Sequence, residues 1–239
     1  AWRNRGGLQE DAVIKYADQI VLPGRSMQET YTAFGVPDTV VIPQPSPMAN
    51  RRLSDDAPRS RWVFVGRLSE EKGILSLLRN WPRGEGLDVF GDGPLMTEVR
   101  KEAERREIDI DIHGYAEQAF MESALSRALG LIFPSKWREG APANYADALA
   151  LGLPTIAVMG NAVAESVLED QTGVVLENLT ESNLMHGMKF VRDRRDDLVL
   201  RCLNRYEADY SPQVWLHRIM NLYRSKLHDY KSNRDRRRI

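Results

Sequence analysis

The stretch "FPSKWREGAPANYADALALGLP", Phe133 to Pro154, decides the fold. It leaves a short apolar run, Leu131-Ile132-Phe133, and passes through a charged turn. It then enters an Ala- and Leu-rich segment that Gly152 and Pro154 should stop. A proline near the first helical turn and a glycine just past the last mark a helix in a strand-turn-helix unit. The helix is predicted over Ala143 to Leu151. Two carboxylates bracket this unit, Glu139 in the turn and Asp147 inside a helix that otherwise reads as core. An acid near a helix start suits the helix dipole, and spacing alone allows both to be ordinary solvated acids. The rest of the chain has to decide.

Working outward, short β-branched or apolar runs recur at Arg61 to Val65, Leu87 to Phe90, Ile108 to Ile112, Thr155 to Val158 and Val174 to Leu176. Helical stretches lie between them: Gly73 to Arg79, Pro94 to Arg106, Ala116 to Ala128 and Ala162 to Glu169. Strands alternating with helices predict an α/β fold, a Rossmann-like parallel sheet with helices on both faces. The charged side chains from Glu98 to Glu107 form a solvated helix face. A shorter β/α piece precedes this domain, with a helix near Glu10 to Tyr16, strands Gln19 to Leu22 and Thr39 to Ile42, and a helix Ser26 to Phe34. The Pro- and Ser-rich segment "PQPSPMANRRLSDDAPRS" follows and reads as a linker. The expected division is 1–43, either the end of a truncated domain or an appendage packed on the main one; 44–60, linker; 61–210, the main domain; and 211–239, a C-terminal helix and basic tail. Leu184 to Tyr206 and Ser211 to Leu227 read as helices.

The 239 residues, 42% hydrophobic and 28% charged, are enough for a sizeable core. Thirty-three Lys and Arg against thirty-four Asp and Glu create no field that argues for nucleic acid. A lone cysteine, Cys202, excludes an internal disulfide framework and fits a reducing compartment, so the chain reads as cytoplasmic. No apolar run reaches the ~20 residues of a membrane span. The tail "YKSNRDRRRI" reads first as a solvated terminus, and it is also basic enough to touch an anionic leaflet, which would make the protein peripheral at a membrane. The chain starts without methionine and in mid-pattern, as a piece of a longer protein would.

In an open parallel sheet, ligands bind beyond the carboxyl ends of the strands. The loop in "VFVGRLSEEKG" leaves a strand at Gly66, offers Arg67 and Lys72, and turns into a helix at Gly73. Two cations beside a backbone-exposing glycine suit a diphosphate, although Glu70 and Glu71 could equally neutralise them as surface charges. The loop in "VFGDGPL" leaves the next strand through Gly91, Asp92 and Gly93. Neither loop is a Walker motif or a dinucleotide fingerprint. His113 fits a core or loop role as well as a binding one, and His186, His217 and His228 lack metal-ligand spacing, so no metal or cofactor is expected.

In order and at natural spacing, "ADQIVLPGRS", "VIPQPSP", "FVGRLSEEKG", "VFGDGPL", "IHGY", "FPSKWREGAPANYADALALGLPTIAV" and "EDQTGVVL" resemble the C-terminal, donor-binding half of a retaining glycosyltransferase of family 4 with the GT-B fold. The resemblance covers nearly the whole chain. It implies the end of an acceptor domain over 1–43, a nucleotide-sugar donor domain over 61–210 and a last helix that crosses back. The family has two glutamates with seven residues between them, and Glu139 and Asp147 stand at those places. The resemblance implies that Glu139 is the catalytic, sugar-facing carboxylate and that Asp147 takes the ribose diol. A carboxylate can accept from two neighbouring hydroxyls at once. Gly66, Arg67 and Lys72 would hold the diphosphate. Gly91, Asp92, His113, Gly114 and Tyr115 would lie along the nucleotide, and Gly140, Ala141, Pro142, Ala143 and Asn144 would face the sugar and its phosphate.

The second acid departs from the family glutamate by one methylene, and the sugar-facing loop carries no side chain that identifies the sugar. The implied partners are a nucleoside-diphosphate sugar and an acceptor of unknown class (glycan, lipid or small molecule). The implied activity is transfer of a hexose-type sugar with retention, with the isolated chain inactive for want of the acceptor domain. One alternative is a non-catalytic module of the same fold that binds nucleotide sugars or proteins; another is a different GT-B enzyme such as a nucleotide-sugar epimerase, against which the "GRLSEEKG" loop speaks.

Overall fold

The computed structural model describes residues 14, 16–36, 38–48, 60–137 and 143–236. A six-stranded sheet of β3 (Arg61–Val65), β4 (Gly86–Phe90), β5 (Ile110–Gly114), β6 (Leu131–Phe133), β7 (Thr155–Val158) and β8 (Gly173–Leu176) forms its centre. Every pairing is parallel, and the order is β5-β4-β3-β6-β7-β8. A parallel sheet needs cover on both faces, so its strands read as continuous apolar runs. β3 illustrates this: Trp62 and Phe64 enter one core and Val63 the other.

The first core is covered by α2 (Ile74–Arg79), α3 (Met96–Arg105) and α7 (Glu181–Asp193). The second lies under α4 (Gln118–Ser126), α5 (Ala143–Ala150), α6 (Ala162–Asp170) and α8 (Arg195–Arg205). Tyr145, Ala146, Ala148, Leu149 and Ala150 of α5 are all buried, which is why that helix reads as core from sequence. Ahead of the main sheet, β1 (Ile20–Leu22), α1 (Arg25–Ala33) and β2 (Thr39–Val41) make a separate two-stranded parallel ribbon. The helix expected over Glu10 to Tyr16 falls mostly outside the described residues.

One expectation is corrected. The single helix predicted over Leu184 to Tyr206 is two, broken at Arg194, whose backbone sits at φ −115° and ψ 16°. The break lets the Arg195 guanidinium donate to the carbonyls of Leu129 (2.8 Å) and Ala128 (3.4 Å) at the foot of β6. It also places Asp196 and Asp197 in the first turn of α8, where acids favour the helix dipole. A wider helical turn, Tyr206–Tyr210, then leads into α9 (Pro212–Arg236), which continues past its expected end at Leu227. Among the described residues no helix is long and apolar enough to cross a membrane.

Candidate functional site

The strand order reverses between β3 and β6, so the loops leaving these two strands part and open a crevice at their carboxyl ends. An open cleft of about 840 Å³ lies there, within the ~300–1,000 Å³ usual for small-molecule sites. Gly66 and Arg67 line it from the β3 loop, Gly91 and Asp92 from the β4 loop, and Gly114 and Tyr115 from the β5 loop. Asp147 lines it from α5. Seven residues predicted from sequence therefore meet in one cleft. A slightly larger hollow of about 920 Å³ runs between β1 and α9; it lies away from the strand ends and holds none of these residues.

The glycine loops are interlocked through their backbones. Gly66 N donates to Phe90 O at 2.9 Å, Leu68 N to Asp92 O at 3.0 Å, and Gly91 N to Gly114 O at 2.8 Å. Gly91 sits at φ +139°, and a Cβ there would meet the Gly66 carbonyl oxygen at 1.9 Å. Only glycine permits that approach. Arg67 is exposed at the mouth. The Glu71 carboxyl is held below the usual carboxylate range, first by the Ser69 hydroxyl donating at 2.6 Å and also by the charges of Arg67 and Lys72.

Lys72 is one turn further along the loop and does not line the cleft. Its neighbour's carbonyl, Glu71 O, accepts from Lys136 N at 2.9 Å and Ser135 Oγ at 3.3 Å, which ties the β3 loop to the β6 loop. Gly73 belongs to the same junction: it has φ +75°, and a Cβ would strike Pro134 O at 2.3 Å. Asn161, fully buried at the start of α6, donates to Ser135 O and Val158 O at 2.9 Å each and caps its helix by accepting from Ala164 N.

Asp147 forms the opposite wall. Burial pushes its carboxyl up from the ordinary aspartate value; the Ser46 hydroxyl, donating to Oδ1 at 2.6 Å, opposes that, and the charge of Glu122 adds to it. Asn144, one turn earlier, donates to Val65 O at 2.7 Å and so anchors α5 to the end of β3. Its Oδ1 is buried with no hydrogen-bond partner among the described residues. Ala143 is exposed at the helix start.

His113 does not line the cleft. Its Nε2 lies 3.1 Å from Asp88 Oδ1, and its ring stacks on Phe90 at 4.5 Å and meets Phe120 edge-on. It therefore sits on β5 as a packed, partnered side chain. Glu139, Gly140, Ala141 and Pro142 lie outside the described residues. Among the described residues no group of three His, Cys, Asp or Glu side chains could hold a metal ion.

Sequence reading missed the wall supplied by residues 44–48. Read as linker, this segment is packed: Ser46 is 1% and Met48 2% exposed, and Pro47 and Met48 line the cleft. It also missed Gln118 and Met121 of α4, which line the cleft beside Tyr115. Their place at the start of the helix after "IHGY" was the available signal.

A doubly wound parallel sheet, with glycine loops, a basic residue and a half-buried acid meeting at the reversal of strand order, defines a Rossmann-like α/β domain that matches GT-B glycosyltransferase structures. The chain belongs to the family Glycosyl transferases group 1, whose sequence model matches residues 59–191. Among solved structures, it resembles the pneumococcal O-GlcNAc transferase GtfA, in complex with UDP and GlcNAc (TM-score 0.69, 16% identity, 91% of this chain and 47% of that one). It also resembles sucrose-phosphate synthase from Thermosynechococcus elongatus (0.73, 18%, 91% and 60%). A third is HepE from Anabaena, in complex with UDP (0.73, 14%, 89% and 65%). At these identities the likeness is one of fold, and the chain spans between 47% and 65% of these relatives' lengths. No curated protein matches it.

Proposed function

We propose that this chain is the C-terminal, donor-binding half of a retaining family 4 glycosyltransferase, which transfers a hexose-type sugar from a nucleoside diphosphate to an acceptor. The observation that carries the reading is the meeting of Arg67, the interlocked glycine loops and Asp147 around one cleft at the switch point. In this reading 1–43 ends the acceptor domain, 44–60 links it, 61–210 holds the donor, and 211–239 crosses back. Arg67, at the mouth of the cleft, meets the diphosphate charge as the leaving group departs, which asks for no metal, and Lys72 stands one turn outside the lining. Asp147 accepts from the ribose diol, and Glu139 accepts from the sugar. The complexes of GtfA and HepE with UDP support a nucleotide donor. Transfer needs an acceptor hydroxyl held against the anomeric carbon in a closed cleft, so this chain alone binds the donor without turning it over.

The test is calorimetric titration of UDP, ADP and GDP into the protein and into Arg67→Ala, alongside a donor-consumption assay. We expect one nucleotide to bind and the substitution to weaken it by ~1–3 kcal/mol, the range of a charge-assisted bond. No binding at millimolar nucleotide, or equal affinity in both proteins, would replace this reading with a protein-interaction module.

A further inference from the structure

Asp147 is the acid of the cleft, yet an aspartate has two free torsions and its carboxylate must be turned before it can serve a diol. Titratable groups face it from two elements: Glu122 on α4, and the Tyr206 phenol in the turn after α8. Neither can hold it as an ion pair. The group that does touch it comes from neither. Ser46 Oγ donates to Asp147 Oδ1 at 2.6 Å across 101 residues of sequence.

Ser46 is unusually well fixed for a residue outside regular structure. It lies between Pro45 and Pro47 in "PQPSP". The second proline restricts Ser46 to extended backbone, and both prolines have φ preset. Its N–H donates to Tyr210 O at 3.1 Å, and its Oγ accepts from Met48 N at 3.0 Å. The next turn of chain is tied down as Tyr206 donates from its hydroxyl to Met48 O at 3.3 Å. A hydroxyl has one proton and two lone pairs. With a lone pair taken by Met48, the proton is left to point at Asp147. Asp147 Oδ2 carries no such bond within the described residues, and the residue lines the cleft.

We infer that Ser46 is a positioning residue: it holds Asp147 through Oδ1 and so presents Oδ2 to the ribose diol of the bound nucleotide. The inference rests on the nucleotide reading above. It also gives the shortened acid a role for its geometry. An aspartate reaches less far than the glutamate the family resemblance leads one to expect, and a hydroxyl from the 44–48 segment supplies the orientation that the shorter side chain needs.

The experiment compares the protein with Ser46→Ala and Ser46→Thr, using UDP and its 2′,3′-dideoxy analogue as probes. Thermal unfolding of each variant checks that it is folded. The unsubstituted protein should prefer UDP over the analogue by about tenfold, the size of one charge-assisted hydrogen bond. Ser46→Ala should bring that preference below about threefold, while Ser46→Thr, which keeps the hydroxyl, should retain it. In parallel, carbon NMR of the Asp147 carboxyl should show its titration moving to higher pH in Ser46→Ala and returning in Ser46→Thr. A merely structural serine would weaken both probes alike and leave their ratio intact. UDP binding with an unchanged ratio in folded Ser46→Ala would overturn the inference and spare the nucleotide reading. Failure of the unsubstituted protein to bind either probe or any other nucleoside diphosphate would overturn both.

Discussion

Gly91→Ala tests whether the interlocked loops build the cleft. The new Cβ would stand 1.9 Å from the Gly66 carbonyl oxygen, where real contacts stay beyond 3.0 Å, and that oxygen is backbone and cannot swing away. The β3 and β4 loops must part by roughly 1 Å. That stretches Gly66 N–Phe90 O from 2.9 Å and Leu68 N–Asp92 O from 3.0 Å beyond hydrogen-bonding range. Two backbone bonds at ~0.5–1.5 kcal/mol each, plus ~1–3 kcal/mol for an alanine held at φ +139°, amount to about 2–6 kcal/mol. Gly84→Ala is the control, because Gly84 also has positive φ (+81°) while its Cβ would meet nothing within 4 Å. It should lose only the conformational term, ~1–2 kcal/mol. Urea unfolding of both variants separates the contributions. If Gly91→Ala is no less stable than Gly84→Ala, the loops are not locked together and this account of the cleft's rim is wrong.

Asp147→Asn should show a pH-dependent stability difference from the unsubstituted protein. Burial raises the Asp147 carboxyl, so the fold favours its protonated form; that contribution is present below ~3.9 and lost as pH rises through the raised value. Relative to the asparagine variant, the protein should lose stability between pH 4 and pH 7.5, and a constant difference in urea midpoint across that range would refute the shift. Asn161→Ala removes a helix cap and two donors to buried carbonyls. It should cost about 2–4 kcal/mol in the same assay, and a loss under 1 kcal/mol would mean water replaces the amide.

The strands and most helices were legible because each carries its own signal. β3, β6 and β7 are dense apolar runs, and Gly152 with Pro154 closes α5. The glycine loops were legible because a glycine directly after a parallel strand has few other uses. What escaped depends on contacts between distant parts of the chain. The break at Arg194 lies in a run of arginines and aspartates with no glycine or proline to mark it, and it coincides with where Arg195 can reach β6. His113 could have faced either a ligand or Asp88, and only the register of β4 on β5 decides between them. Ser46 gave no signal, since a serine between prolines reads as spacer until its partner is known to be 101 residues away.

The backbone bonds that cross the ends of β3, β4 and β5 also bear on how such a site can change. A chain of main-chain contacts running at right angles to the strands ties each loop's length to its neighbour's. An insertion in one would have to be matched in the next, so the scaffold resists change by lengthening. Substitution is the easier route: Arg67, Asp92 and Tyr115 project from this locked rim as exposed side chains. Altering them would change what the rim displays and leave its shape alone. If the cleft binds the proposed nucleotide, its selectivity is therefore better re-engineered residue by residue at those three positions than by transplanting loops.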